Sequence, residues 1–267
     1  MSPTEPQNQA RHLVIPGCQD AADLRFAYLN LRNHPRGQLM LQELTAAGFV
    51  PAMVIDEEST LAASGRAGQL VELQQLTDFE DLVDTADFCA SQGIPYHLVS
   101  NHNDAVVEHL LRGVELDLAV LGDTRVLKQH IIEAVPFGIV NVHPGLLPDV
   151  RGNHPYIWSI IHGLPQGVTA HLIDKDVDRG PILLTRPALL PPGTGLPQLI
   201  HLLNTMCASI IVDVLRQTVR GEAVATPQPQ DARFTFRAAR PEIRALAATI
   251  LRERATKNVL ADTTASA

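Results

Sequence analysis

The chain has 267 residues, of which 45% are hydrophobic and 19% are charged, and its formal net charge is -8. This composition is typical of a soluble globular protein with a core large enough for a substantial domain. The excess of acidic side chains argues against a broad nucleic-acid surface, because sequence-independent binding to phosphates depends on clustered lysine and arginine.

Cysteine usage and the N-terminal sequence indicate a reducing compartment. Cys18, Cys89 and Cys207 are too few and too scattered for a disulfide framework or a zinc site. Residues 1–10 are polar and lack the apolar segment of a secretory signal. No run approaches the ~18 apolar residues that cross a bilayer. We therefore expect a soluble, cytoplasmic protein with no membrane partner.

Short apolar runs alternate with helical patterns through the first two thirds of the sequence. The predicted strands are 12–16, 50–55, 96–99, 116–121 and 137–142. The predicted helices are 38–47, one or two within 70–91, 104–111 and 125–133. Strands separated by helices form βαβ units, so we predict an α/β fold with an open, mostly parallel twisted sheet and helices on both faces.

After residue 163 the pattern changes. Residues 167–173 and 181–188 are predicted extended segments, joined by the polar loop 174–180. A long amphipathic helix is predicted over 196–220, and its apolar face would pack within the chain or in the seam of a homodimer.

The C-terminal segment differs again in composition. Residues 221–233 are rich in proline and glutamine and predict an extended linker, and 241–254 predict a last helix before a polar tail. We therefore divide the chain into a flexible tail (1–11), a main domain (12–220) and a C-terminal linker, helix and tail (221–267).

A candidate site lies where the fifth predicted strand ends. Asn141 and His143 are two residues apart, so on a strand their side chains project to the same side. Pro144 and Pro148 restrain the loop that follows. An amide that donates to an oxyanion beside an imidazole that handles a proton would suit acyl transfer. An isolated Asn-x-His is also common as a purely structural pair.

The loop 174–180 contains a second polar cluster. Asp174, Asp176 and Asp178 follow His171 within one strand-and-loop unit. Composition alone would interpret the three aspartates as solvated turn formers. Metal binding is a weaker alternative, because their spacing does not match a calcium loop.

Together the two segments resemble the folate-dependent formyltransferase family. The pattern N-x-H-P-x-L-L-P-x-x-R-G over 141–152 is followed by G-x-T-x-H-x-I-D-x-x-V-D-x-G-P-I over 167–182. The family includes glycinamide ribonucleotide, methionyl-tRNA and nucleotide-sugar formyltransferases. The resemblance implies a Rossmann-like formyltransferase fold, with 12–220 as the catalytic domain.

The resemblance also implies a set of functional residues and a donor. Asn141, His143 and Asp178 fall on the family's catalytic positions; Asp178 is preferred to Asp176 because Arg179-Gly180 follows it as in the family. In this scheme Asn141 and a protonated His143 stabilise the oxyanion, while Asp178 orients the imidazole. The implied donor is 10-formyltetrahydrofolate, and no metal is expected.

Further residues are implied as contacts of the donor or as supports. The implied cofactor-binding residues are Arg125, Val126, Leu127, Ile173, Asp174, Asp176 and Val177. The implied substrate-binding or supporting residues are His171, Gly145, Arg151 and Trp158. Val126 and Leu127 are equally consistent with helix-core positions, and Trp158 with a core position.

Two departures from the family narrow the expected acceptor. The turn after the first predicted strand, 16–20, has a single glycine and an acid, which makes a poor phosphate cradle and argues against glycinamide ribonucleotide. The segment after residue 220 is too short for the second domain of the tRNA enzymes. We therefore expect a small-molecule amine, such as an amino sugar, an amino acid or a specialised intermediate, and no nucleic acid.

Several readings stay open at this stage. A hydrolase that removes formyl from the same donor, or a catalytically silent folate-binding protein, would retain the same three polar residues. The polar stretches 30–35 and 56–59, and His102 with Asn103, follow or adjoin predicted strand ends. We interpret them as ordinary connecting loops.

Overall fold

A computed structural model describes residues 9–80, 83–229 and 235–265. Its strands are β1 Arg11–His12, β2 Phe26–Leu31, β3 Met53–Glu57, β4 Tyr96–Val99, β5 Leu118–Asp123, β6 Ile139–His143, β7 Arg151–Gly152, β8 Gly167–Leu172, β9 Ile182–Pro187, β10 Val224–Ala225 and β11 Thr235–Phe236. Its helices are α1 Pro35–Ala46, α2 Thr60–Leu73, α3 Thr85–Gln92, α4 Ala105–Arg112, α5 Gln129–Ile132, α6 Pro155–His162, α7 Leu196–Val219 and α8 Pro241–Ala265.

The central sheet has seven strands in the order β4-β3-β2-β5-β6-β8-β9. Strands β2 to β6 are parallel to one another. Beyond β6, β8 pairs with β6 in antiparallel orientation, and β9 pairs with β8 in antiparallel orientation. The chain leaves β2 toward β4 and then crosses to β5, so the strand order reverses between β2 and β5. Ligands of open α/β sheets bind at the carboxyl ends beside such a reversal. The predicted fold class is confirmed.

Both faces of the sheet are covered, as the alternation along β2 shows. Phe26 and Tyr28 belong to the core cluster that includes α1 and α7, whereas Ala27 and Leu29 belong to the cluster that includes α4 and α5. Successive side chains of a strand point to opposite faces, so a strand between two helical layers is buried throughout.

Helix α7 is long and apolar enough to cross a membrane by length and composition alone. In the folded chain, 61% of its most apolar window is buried, and the helix packs against α1, α2 and β8. Its buried residues include Leu199, Leu203 and Ile211. The helix therefore serves as the core element of one face of the sheet.

The prediction of the first strand was wrong. Residues 12–16 do not form a strand of the sheet: β1 covers only Arg11–His12 and pairs with β10, and Val14 is 55% exposed. The first strand of the sheet is β2, whose six residues are all buried even though they include Asn30. A short apolar run does not by itself reveal which segment the tertiary structure buries.

Two helix predictions also need correction. The helix predicted over 125–133 is reduced to α5, and residues 124–128 form a loop in which Arg125 bonds to Glu57 and the Lys128 amide bonds to Asn103. Helix α8 continues to Ala265, beyond the predicted end at 254. The segment expected as a linker contributes β10 and the buried side chain of Gln228, and residues 230–233 lie outside the described part.

The buried carboxyl group of Asp56 predicts a pH-dependent stability. Burial raises its pKa to about 7, although a hydrogen bond from the Tyr96 hydroxyl (3.2 Å) acts in the opposite direction. A raised pKa in the folded state stabilises the protein at low pH, and this contribution is lost as the pH rises through 7. We expect Asp56→Asn to gain stability relative to the original protein by about 2 kcal/mol between pH 5.5 and pH 8.

The measurement is chemical denaturation at both pH values, with Asp87→Asn as control because Asp87 is exposed. An equal difference between Asp56→Asn and the original protein at the two pH values would contradict the assignment.

Candidate active site

The structure brings Asn141, His143 and Asp178 together at the carboxyl end of β6. Asn141 and His143 lie on one strand, and Asp178 arrives from the loop that joins β8 to β9. Strand β8 pairs with β6 in antiparallel register, with His171 opposite Asn141 and Thr169 opposite His143. The pairing of these two strands therefore places the acidic loop beside the amide and the imidazole.

The imidazole of His143 is held at Nε2 and faces Asp178 with Nδ1. Nε2 donates to the carbonyl oxygen of Val150 at 2.8 Å; because a carbonyl oxygen only accepts, Nε2 carries the hydrogen. Nδ1 lies 3.5 Å from Asp178 Oδ2. A Cβ atom on Gly145 would lie 3.0 Å from Nε2 and 2.7 Å from Pro155 Cβ, so glycine at 145 leaves the ring its space.

Asp178 is the acid that faces the site. Its backbone φ is 54°, and its Oδ2 accepts a hydrogen bond from the Gly152 amide at 2.6 Å. The other oxygen, Oδ1, lies 3.5 Å from His171 Nε2. Asp176 is exposed, and its amide donates to Asp174 Oδ1 at 2.8 Å, as in a solvated turn.

Burial and charge set the protonation of the pair. Burial lowers the pKa of His143 and outweighs the opposing effect of the Asp178 carboxylate. Burial raises the pKa of Asp178, but the neighbouring His143 and His171 and the Gly152 amide outweigh it, so this pKa lies below the usual range. We conclude that the carboxylate is ionised and that the imidazole is neutral at rest, in contrast to the protonated His143 of the sequence-based scheme.

His171 orients the amide of Asn141. His171 is fully buried, and its Nδ1 donates to the Leu172 carbonyl at 2.9 Å, which leaves the lone pair on Nε2. This lone pair accepts from Asn141 Nδ2 at 3.1 Å. One N–H of the amide is thereby engaged, and the second remains to donate elsewhere. From the sequence, His171 was predicted only as a supporting residue near the acid.

Arg151 and Gln228 support the acidic loop 174–180 through buried hydrogen bonds. Arg151 is fully buried and donates through Nε and Nη2 to Gln228 Oε1 at 3.3 and 3.0 Å. Gln228 in turn donates to the carbonyl oxygens of Asp178 (2.9 Å) and Gly180 (2.8 Å). Arg151 therefore supports the loop. Gln228 was missed, because nothing in its proline-rich surroundings distinguishes it from the linker residues.

Trp158 contacts the segment around β11 through both its ring and its indole nitrogen. Its indole stacks on Phe236 with ring centroids 4.9 Å apart, and its Nε1 donates to the Arg237 carbonyl at 2.9 Å. The side chain attaches the segment around β11 to α6.

The two loops expected to hold a cofactor lie over the same face of the sheet. Leu127 is buried in the core cluster on the α4 and α5 side, and Ile173 packs against that cluster. Val126 is 67% exposed, and Val177 is also exposed. The side chain of Arg125 turns toward Glu57 and forms a bidentate ion pair with it. Each loop therefore carries an exposed apolar side chain, and burial raises the pKa of Asp174 in the second loop.

A second polar group lies beside the site at the end of β5. Asp123 accepts from Arg36 Nη2 at 2.6 Å and lies 3.3 Å from His34 Nε2. Burial lowers the pKa of His34 to about 4, so this imidazole is neutral at physiological pH. His34 belongs to the β2–α1 turn, which is the first βα turn of the sheet and also contains Arg32, and Arg36 lies in the first turn of α1.

This turn corrects one step of the sequence analysis. Residues 16–20, from which the sequence excluded a phosphate cradle, do not follow the first strand of the sheet. The turn that does follow it, 32–34, begins with Arg32. The structure therefore removes the sequence-based reason for excluding a phosphorylated acceptor.

Solved structures place most of the chain in a known fold. A sugar N-formyltransferase from Shewanella sp. aligns with a TM-score of 0.58 at 16% identity, over 87% of this chain and 87% of its own. A glycinamide ribonucleotide transformylase from Symbiobacterium toebii aligns with a TM-score of 0.57 at 20% identity, over 74% and 88%. At these identities the likeness defines the fold: an open α/β sheet of the formyltransferase type.

The family follows from the sequence itself. Residues 45–214 match the family described as Formyl transferase, and the chain belongs to this family. The methionyl-tRNA formyltransferase of Roseiflexus sp. (strain RS-1) is 37% identical over 147 residues, which are 54% of this chain and 45% of that protein. That of Trichlorobacter lovleyi is 32% identical over 141 residues, 52% and 44%. The match thus covers less than half the length of these relatives.

The buried contacts of Gln228 yield a stability prediction. Gln228→Ala removes the acceptor of two Arg151 hydrogen bonds and the donor to the Asp178 and Gly180 carbonyls. Unpaired buried polar groups each cost about 1–3 kcal/mol, so we expect a loss of about 2 kcal/mol or more in the free energy of unfolding.

Denaturant unfolding would measure this loss, with Gln74→Ala as the control because Gln74 is exposed at the end of α2. If the two variants were equally stable, Gln228 would not support the loop.

Proposed function

We propose that the protein transfers the formyl group of 10-formyltetrahydrofolate to the amine of a small molecule. The observation that carries this proposal is the placement of Asn141, His143 and Asp178 around one point at the end of β6. Family membership supports formyl transfer. The activity of the whole protein remains our inference, since the curated relatives are matched over less than half their length.

The residues around the site fit such a donor. Its chemistry is an acylated nitrogen: the acceptor amine forms a new C–N bond to the formyl carbon, the bond to the folate nitrogen breaks, and an amine proton passes to that nitrogen. The loop 124–128 offers backbone groups and the exposed Val126, and Ile173, Asp174, Asp176 and Val177 border the same face. These residues would hold the heterocycle of the donor.

Asn141 is suited to stabilise the oxyanion. One N–H of its amide is held by His171, which fixes the orientation of the second N–H before substrate arrives. A preorganised donor costs no reorganisation when charge develops on the formyl oxygen, and removal of such a donor costs about 3–4 kcal/mol of transition-state stabilisation.

His143 and Asp178 are suited to manage the proton. Because the imidazole is neutral at rest, His143 Nδ1 can accept a proton from the attacking amine. The Asp178 carboxylate, 3.5 Å away, stabilises the imidazolium that results. The imidazolium then returns the proton to the leaving nitrogen and adds positive charge near the oxyanion while it persists.

The acceptor is proposed as an amino sugar, an amino acid or another small amine. The net charge of -8 supports a small acceptor over a nucleic acid. Phosphorylated amines belong among the candidates, because the turn from which the sequence excluded them does not follow the first strand of the sheet. A cytoplasmic location is part of the same proposal.

The assay that tests the function incubates the protein with 10-formyltetrahydrofolate and a panel of amines, and follows the release of tetrahydrofolate. The panel contains nucleotide-linked amino sugars, amino acids, glycinamide ribonucleotide and methionyl-tRNA. Amine-dependent release supports the proposal, and the productive amine identifies the acceptor. Amine-independent release would show a hydrolase, and donor binding without turnover would show a silent family member.

We expect Asn141→Ala and His143→Ala each to lower turnover several hundredfold, in line with about 3 kcal/mol for a lost donor or proton-transfer group, while the fold persists. Steady-state kinetics with the productive amine would measure the loss, and circular dichroism would check the fold. Near-normal turnover of folded His143→Ala would overturn the proposed chemistry.

Asp178→Asn yields a test that depends on pH. The Asp178 carboxylate raises the pKa of His143, so its removal lowers this pKa further. Since the neutral imidazole is the reactive form, the acid limb of kcat/KM is expected to move to lower pH, with a reduced maximum because the imidazolium loses its counter-charge. An unchanged pH profile would show that the Asp178 carboxylate does not affect the titration of His143.

A further inference from the structure

The loop 124–128 is held by two side chains that the motif does not contain. Glu57 lies at the end of β3, and Asn103 lies in the loop between β4 and α4. Both reach the segment that follows β5, although they are distant from it in sequence. The sequence pattern favours a helix over 125–133, yet the helix begins only at Gln129.

Glu57 is fully buried and holds the side chain of Arg125. Arg125 Nε donates to Glu57 Oε2 at 2.7 Å, and its Nη2 donates to Oε1. The carboxylate also accepts from the Ser59 hydroxyl (2.6 Å) and the His102 amide (2.9 Å). A buried charge is stable only when it is paired and hydrogen-bonded, and these four contacts meet that requirement.

Asn103 holds the backbone of the residues that follow Arg125. Its Nδ2 donates to the Val126 carbonyl at 3.1 Å, and its Oδ1 accepts from the Lys128 amide at 2.6 Å. Its own carbonyl accepts from His130 Nε2 at 3.1 Å. One asparagine thus bonds the loop at a carbonyl, an amide and a side chain of the helix that follows.

These contacts keep the loop out of the helix that its sequence favours. In a helix, the amides and carbonyls of 124–128 would bond to one another. In the loop, Val126 is exposed and Leu127 is buried, so an apolar side chain is left exposed just after the carboxyl end of β5. Arg125, which the motif assigns to cofactor binding, instead uses its side chain as an anchor.

We propose that Glu57 and Asn103 are positioning residues that hold the loop 124–128 in the non-helical conformation that receives the heterocycle of the folate donor. The proposal rests on the proposed function for the identity of the ligand. From the sequence alone, both residues were interpreted as parts of ordinary connecting loops.

The test uses Glu57→Gln and Asn103→Asp in the full chain, with Glu58→Gln as the matched control. Glu58 is adjacent, and its carboxylate pairs with Arg32 (3.4 Å) and not with the loop. Calorimetric titration with tetrahydrofolate measures binding. We expect about a tenfold weaker Kd for Glu57→Gln, which corresponds to about 1.4 kcal/mol, a several-fold weaker Kd for Asn103→Asp, and no change for Glu58→Gln.

Amide hydrogen exchange provides a readout that does not depend on the ligand. In both variants the exchange of residues 124–130 should accelerate while the rest of the sheet stays protected, a local change that general destabilisation would not produce. Arg125→Met should weaken binding as Glu57→Gln does, and the double variant should be no weaker than either single variant.

The outcomes separate this inference from the proposed function. If the original protein does not bind tetrahydrofolate, the proposed function fails, and the exchange data alone decide whether the anchors hold the loop. If the original protein binds and the folded variants bind equally well, with unchanged exchange, the anchors have no positioning role and the inference is overturned. Should Glu57→Gln not fold, Asn103→Asp, which replaces a partly exposed side chain, decides the question.

Discussion

The buried carboxylate of Asp178 is the group on which the rest of the site depends. An ionised carboxylate away from water is tolerated only where positive or donating groups surround it. The Gly152 amide of β7 donates to Asp178, and the imidazoles of His143 on β6 and His171 on β8 each lie 3.5 Å from one of its oxygens. The sheet register, the turn after β6 and the acidic loop must therefore all be correct before the charge is accommodated.

The same requirement explains why so many polar side chains at this edge of the sheet are fixed before any ligand binds. His171 orients Asn141, and Val150 fixes the hydrogen of His143 on Nε2. Glu57 holds the side chain of Arg125. Polar networks of this kind reduce the reorganisation that a reaction would otherwise require, since the dipoles already point to where charge will develop.

The sequence predicts those parts of the site that depend on local geometry. The two-residue period of a strand places Asn141 beside His143, and the motif selects Asp178 over Asp176, in agreement with the positions of both side chains. It does not predict contacts between distant segments. The first strand was missed because β2 carries Asn30 within its buried run, and Gln228 has no local feature that reveals its burial.

The contact between Gln228 and the acidic loop has a consequence for the order in which the protein matures on the ribosome. The last strand of the sheet ends at Pro187, and α7, which covers one face of the sheet, ends at Val219, so both are synthesised before Gln228. The carbonyls of Asp178 and Gly180 gain their side-chain donor only when Gln228 has emerged, about 40 residues after Pro187. The support of the acidic loop is therefore among the last contacts of the site that can form during synthesis.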